Sequence, residues 1–193
     1  MTRFELRITV SNSHVHLCKA HVRELFGEEE LAGVTQIGHP KFEKTDNTVT
    51  LVGPKGSLSG IRVLTPATNE TWVELNRTHA FSLGVSPPLE EGELSSGSLT
   101  IRGARGQIEV KKNVVMELRH IEITPAQASG WGLKSGQVVS AEIGGPRAAL
   151  LRNVKVRIVE NAREGFDGVL ELDRDEANGL LANRGDRAAI LVD

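Results

Sequence analysis

One short pattern recurs four times along the 193 residues and limits the fold more than any other feature. It is an apolar residue, a His or Glu, a second apolar residue, and then a short helical stretch. The copies are Val15-His16-Leu17 before residues 18–27, and Val73-Glu74-Leu75 before 76–85. Ile121-Glu122-Ile123 precedes 124–133, and Leu170-Glu171-Leu172 precedes 173–182. Alternation of period two is the mark of a strand, whose successive side chains leave opposite faces. Thr124-Pro125 supplies a cap followed by proline at the first helical position, and Asp173 can cap the last copy in the same way. Each unit is therefore a strand feeding a short helix. Two units per half predict two similar halves related by a pseudo-twofold axis.

Strand signals dominate elsewhere too. Phe4 to Val10, Thr48 to Val52, Leu99 to Arg102 and Val154 to Val159 all alternate apolar and polar residues. Helical stretches are short, at about 19–26, 78–83, 125–131 and 174–182. Many short strands with Gly and Pro turns point to barrels or sandwiches, so the expected class is mainly β. Val49 to Leu58 matches Leu99 to Ile108, each a strand, a Gly-x-x-Gly turn and a strand, as though the halves repeat. Such a turn is a common hairpin connection, although its amides could also cradle a phosphate. Gly84 to Ser98 holds two prolines and three acids and reads as a linker or long loop between halves.

Composition narrows the function. A net charge of −2 argues against a general polyanion binder. Aromatic residues make up 4 % of the chain, with no Tyr, so stacking platforms for nucleic acid are not expected. The single cysteine, Cys18, excludes an internal disulfide framework and reads as a packing residue. No apolar run reaches the ~18 residues of a membrane span, and the opening residues do not form a signal peptide. A cytoplasmic protein with neither nucleic-acid nor membrane partners is expected.

The central residue of each unit, His16, Glu74, Glu122 or Glu171, can ligate a metal, and its apolar neighbours turn it to the other face of its strand. Two units add a histidine two residues earlier, His14 before His16 and His120 before Glu122. Residues i and i+2 share a strand face about 7 Å apart, so both can grip one ion. A Glu on the polar side of a strand is ordinary, and a surface His pair is an alternative. The recurrence of His-x-His as His-x-Glu in the second half favours metal. His21, His39 and His79 fall in helix or loop contexts without an expected catalytic role, and no catalytic residue is assigned.

Ser11-Asn12-Ser13-His14-Val15-His16-Leu17 resembles the opening motif of the phosphate propanoyltransferases, phosphotransacylases associated with propanediol utilization in bacterial microcompartments. Val49 to Ser57, Ile61-Arg62-Val63-Leu64, Val73-Glu74-Leu75, Arg119-His120-Ile121 and Asp175-Glu176-Ala177-Asn178 continue the likeness across about residues 8–190. The resemblance implies two tandem β-barrels with short helices. It places the first barrel at 13–118 and the second at 119–193, joined by the N-terminal strand 1–12. It implies transfer of a short acyl group between coenzyme A and inorganic phosphate at two divalent metal ions near the barrel interface. His14, His16 and Glu74 match the first zinc site; His120, Glu122 and Glu171 match the second. A homodimer is compatible with this reading. Encapsulated relatives carry an amphipathic N-terminal extension that targets the shell, and a strand starting near residue 3 leaves no room for one.

Two departures bear on function. The family has His at the positions of Glu122 and Glu171, and a phosphate-contacting Arg at the position of Thr68. Three neutral His, a divalent ion and an Arg would face phosphate with a charge of about +3, whereas the residues here sum to about zero. At 4 Å one charge is worth about 4 kcal/mol at an effective dielectric of 20, so phosphate binding should weaken. Arg62, Arg77 and Arg119 are the candidates to restore charge. The carboxylates also suit Mn²⁺ or Fe²⁺ at the second site as well as zinc, or leave it empty. Two alternatives to the transferase follow: a metal-dependent acyl-CoA hydrolase, and a divergent paralogue that binds a metal or ligand without catalysis.

Overall fold

The computed structural model describes residues 2–89 and 98–192. The chain divides into two compact units, Asn12–Glu117 and a second made of Met1–Ser11 with Leu118–Asp193. The N-terminal strand, β1 (Thr2–Ser11), thus belongs with the C-terminal residues.

The unit 12–117 is a nearly closed barrel. It opens with β2 (His14–Cys18) and α1 (Lys19–Phe26), followed by β3 (Thr35–Gln36), β4 (Glu43–Val52) and β5 (Ser57–Thr68). After these come β6 (Trp72–Leu75), α2 (Arg77–Leu83), β7 (Leu99–Arg102), β8 (Gln107–Val110) and β9 (Val114–Met116). The strand order is β8-β7-β4-β5-β2-β6-β9, with β3 paired to β4. Val15 and Leu17 of β2, Val49 and Leu51 of β4, and Val73 and Leu75 of β6 fill its interior together with Leu25 of α1 and Leu83 of α2. The second unit is a closed barrel. After β1 it uses β10 (His120–Ile123), α3 (Pro125–Trp131), β11 (Val138–Ile143) and β12 (Ala149–Ile158). It ends with β13 (Val169–Asp173), α4 (Arg174–Leu180) and β14 (Arg187–Val192). Around the barrel the order is β1-β13-β10-β12-β11-β14, and the inward residues include Ile8, Ile121, Ile123, Val156, Leu170 and Leu172.

All four copies of the repeated unit are strands that run straight into helices: β2–α1, β6–α2, β10–α3 and β13–α4. The local chemistry explains why the chain turns where it does. Asn76 accepts from the His79 N–H, Thr124 and Gln127 form a reciprocal capping box ahead of Pro125, and Asp173 accepts from the Glu176 N–H. Each satisfies a donor that a helix start leaves without an intrahelical partner. α1 lacks a side-chain cap and ends at Gly27 in the left-handed conformation.

The structure corrects two readings of the sequence. The Gly-x-x-Gly hairpins do not fall one in each half. β4–β5 and β7–β8 lie in the same barrel, and β4 pairs directly with β7. Their repetition follows the two helices of that barrel. The Lys55 N–H donates to the Leu83 carbonyl at the end of α2, and the Arg105 N–H donates to the Leu25 carbonyl in α1, at 3.0 and 2.9 Å. Turn amides that could have cradled a phosphate thus serve helix carbonyls. The Gly84 to Ser98 stretch, read as a linker between halves, joins α2 to β7 inside the same unit; its residues 90–97 lie outside the described residues.

The close approach of turn and helix demands glycine at two positions. A Cβ on Gly53 would stand 2.3 Å from the Leu83 oxygen, and one on Gly103 would stand 2.4 Å from the Leu25 oxygen. Both atoms are backbone, so the clash cannot be relieved by a side-chain rotation. Gly103→Ala should therefore lower stability by about 1–3 kcal/mol in urea unfolding. Gly130→Ala, where nothing lies within 4 Å, should leave it unchanged or raise it by up to about 1 kcal/mol.

Candidate metal centre

In β2 the apolar pair Val15 and Leu17 points inward, which sends His14 and His16 to the outer face of the barrel. Their antiparallel neighbour is β6, in a register that sets Glu74 opposite His14 and Trp72 opposite His16. These pairings bring three ligand atoms together. His14 Nε2 and His16 Nε2 are 2.9 Å apart, and Glu74 Oε1 lies 3.6 Å from the first and 3.9 Å from the second. Ligands at ~2.0–2.1 Å from a tetrahedral ion would stand about 3.3 Å from one another, close to the mean of these separations. The two imidazoles are only 4 % and 2 % exposed.

Hydrogen bonding points the same way. His14 Nδ1 donates to the Asn12 carbonyl at 2.8 Å, which leaves its Nε2 as a bare lone pair. His16 Nδ1 is buried and has no hydrogen-bond partner among the described residues. If the His16 proton sits on Nδ1, two bare Nε2 atoms face one another; if it sits on Nε2, Nδ1 is left as a buried bare acceptor. Neither tautomer serves every buried nitrogen, and a cation among the three converging atoms resolves the first conflict. Burial, reinforced by the neighbouring His14, lowers the His16 pKa to about 2, so its imidazole is neutral and able to ligate. Burial alone would raise the Glu74 carboxyl; positive charge beside it, at the His14 position first, outweighs burial and holds it well below the usual range.

The surroundings are aromatic on one side and cationic on the other. The rings of Phe42 and Trp72 pack against His16 at 4.3 and 4.4 Å, and the Trp72 indole N–H donates to Glu74 Oε1 at 3.1 Å. Arg62 stands beside His14 in the parallel register of β2 and β5, with Nη2 donating to the Asn12 carbonyl at 2.9 Å. Phe42 and Trp72 also line a cleft of about 720 Å³ with Lys41, Pro66, Thr68 and Val115. Thr68 offers no charge there, and its hydroxyl donates to the Glu70 carbonyl. Of the other candidate cations, Arg119 pairs with Glu176 and Arg77 is exposed at the start of α2.

The second barrel repeats part of this arrangement. His120 and Glu122 share the outer face of β10, and Glu171 lies opposite His120 on antiparallel β13. All three are nearly fully buried, and His120 Nδ1 donates to the Leu118 carbonyl at 2.9 Å, as His14 does to Asn12. His120 and Glu171 bring ligand atoms within 4.8 Å of one another, close enough by distance to share an ion. Glu122 stands outside that grouping and in register with Arg157 of β12. Arg157 Nη1 lies 3.2 Å from His120 Nε2. The sequence reading passed over Arg157. The alternation of Val154 to Ile158 puts Lys155 and Arg157 on one polar face, but which strand that face adjoins depends on the β10–β12 pairing.

The remaining histidines have structural partners. His21 Nδ1 bonds the Thr71 hydroxyl at 2.7 Å and His79 Nδ1 bonds the Ser13 hydroxyl at 2.8 Å. His39 Nδ1 accepts from the Lys41 and Phe42 amides. Cys18, half-buried, is a free thiol at the start of α1.

Residues 7–183 match the family model described as phosphate propanoyltransferase. A phosphate propanoyltransferase of Thermotoga maritima is 38 % identical over 188 residues, covering 95 % of this chain and 88 % of its own. One from Rhodopseudomonas palustris is 37 % identical over 186 residues, covering 95 % and 80 %. One from Clostridioides difficile is 31 % identical over 189 residues, covering 96 % and 88 %. A match that runs through both barrels at this identity makes the chain a member of the phosphate propanoyltransferase family.

Proposed function

We propose that the protein transfers a short acyl group between coenzyme A and inorganic phosphate, using one divalent ion held by His14, His16 and Glu74. The observation that carries this reading is the convergence of those three ligand atoms within 3.9 Å, in a chain of this family. In the reaction a phosphate oxygen bonds to the thioester carbonyl carbon, the C–S bond breaks, and the proton of hydrogen phosphate ends on the departing thiol. Acyl-CoA and phosphate thus give acyl phosphate and coenzyme A. A bound divalent ion supplies Lewis acidity to the oxygen that gains charge in this step.

The residues of the chain do the rest. An imidazole ligand carries no charge, so His14 and His16 would leave the ion's positive charge undiminished, and the Glu74 carboxylate would remove only part of it. Arg62, half-buried beside His14, adds a fixed cation that attracts phosphate. It takes over the charge that Thr68 lacks. Phe42 and Trp72 wall one side of the centre and continue into the cleft, whose volume suits a small acyl group and the end of a thioester arm. An apolar wall also keeps water from competing with phosphate for the acyl carbon.

Release of thiol from acetyl-CoA and propanoyl-CoA by zinc-loaded protein should require phosphate. Equal release without phosphate would make the protein a hydrolase, and no release from folded, metal-loaded protein would leave a binding paralogue. His14→Ala and His16→Ala should each abolish turnover and remove the metal; full activity in either would overturn the assignment. Arg62→Gln should raise the KM for phosphate about tenfold, about 1.4 kcal/mol, with little change in the KM for acyl-CoA. Unchanged phosphate saturation would remove Arg62 from the site.

A further inference from the structure

We propose that in the second barrel the guanidinium of Arg157 takes the place of a metal ion, so that the protein carries a single divalent ion, at His14, His16 and Glu74. The count of one rests on the reading of the first centre given above. The residues of the second centre do not fit an ion. His120 Nδ1 carries its proton toward the Leu118 carbonyl, so Nε2 holds the lone pair that a metal would use. Arg157 Nη1 lies 3.2 Å from that atom. A guanidinium nitrogen is a donor only and does not lose its proton, so the N–H points at the lone pair. An ion on Nε2 would sit at ~2.0–2.1 Å, in the path of that N–H, with its own charge against the guanidinium's.

Charge supports the exchange. β12 runs parallel to β10, in a register that sets Lys155 beside His120 and Arg157 beside Glu122. Glu171 lies on the other side of His120, so one face of three adjacent strands carries two carboxylates and two cations. The carboxylates that stand where the family has histidines therefore share a strand face with fixed positive charges of the chain itself. In the first barrel the matching parallel pair, β2 and β5, sets Leu64 beside His16. Leucine offers no cation, and the Arg62 of that strand reaches the Asn12 carbonyl with Nη2. Beside the second outward residue of each ligand strand, His16 or Glu122, the parallel strands thus carry Leu64 in one barrel and Arg157 in the other.

The test is metal content, which needs no substrate. The full chain is loaded with Zn²⁺, freed of excess by gel filtration, and assayed for zinc by mass spectrometry. The expected content is one zinc per chain, retained in His120→Ala and lost in His16→Ala. Arg157→Leu, which copies Leu64, should raise the content to two. Should that variant fail to fold, the wild type and His120→Ala still decide. Two zinc ions per wild-type chain, with one lost in His120→Ala, would overturn this inference and leave the transferase reading intact. A single ion lost in His120→Ala but kept in His16→Ala would also overturn it. A zinc-free wild type would instead strike at the first centre. A phosphate-dependent activity that fails while the content stays at one would remove the transferase reading alone.

Discussion

The two buried clusters of His and Glu in this structure depend on the pleat of four short strands. In β2, β6, β10 and β13 each apolar residue that enters a barrel forces its neighbour outward, and a His or Glu is among the outward neighbours of every strand. The barrel interiors therefore stay dry and apolar, while ionisable groups collect on their outer faces. Strand pairing then converts a face into a centre. Antiparallel pairing of β2 with β6 and of β10 with β13 sets Glu74 opposite His14 and Glu171 opposite His120. A shift of one residue in either pairing would send the carboxylate into a hydrophobic core, where an unpaired charge is very costly.

The two centres show how much a single neighbouring strand can change. Both have a histidine whose Nδ1 is held by a main-chain carbonyl two residues earlier, Asn12 or Leu118. That bond sets the tautomer and aims Nε2 outward. What Nε2 then meets differs between the barrels. Beside β2 it meets the second histidine and Glu74; beside β10 it meets Arg157.

The helices are held by the same economy of backbone groups. Each helix of the first barrel ends against a tight turn whose amide takes a helix carbonyl, and glycine at 53 and 103 lets the two backbones touch. The sequence likeness of the two hairpins reflects this shared task. It resembles duplication of halves only because the turns lie far apart in the chain, at 53–56 and 103–106.

The sequence by itself determined the elements and the chemistry they could present. Period-two alternation, caps such as Thr124 and Asp173, and the glycine turns all act over a few residues, so strands, short helices and the mainly β class were legible. The shared strand face of His14 and His16 and the outward turn of Glu74 were legible because residue type and strand face are local properties. Pairing is not local. Only the tertiary structure decided that β4–β5 and β7–β8 share one barrel, that β1 runs parallel to β13 and antiparallel to β14, and that Arg157 lies against His120. Those contacts join residues far apart in the chain, and many registers satisfy the same alternation until the closed sheet selects one.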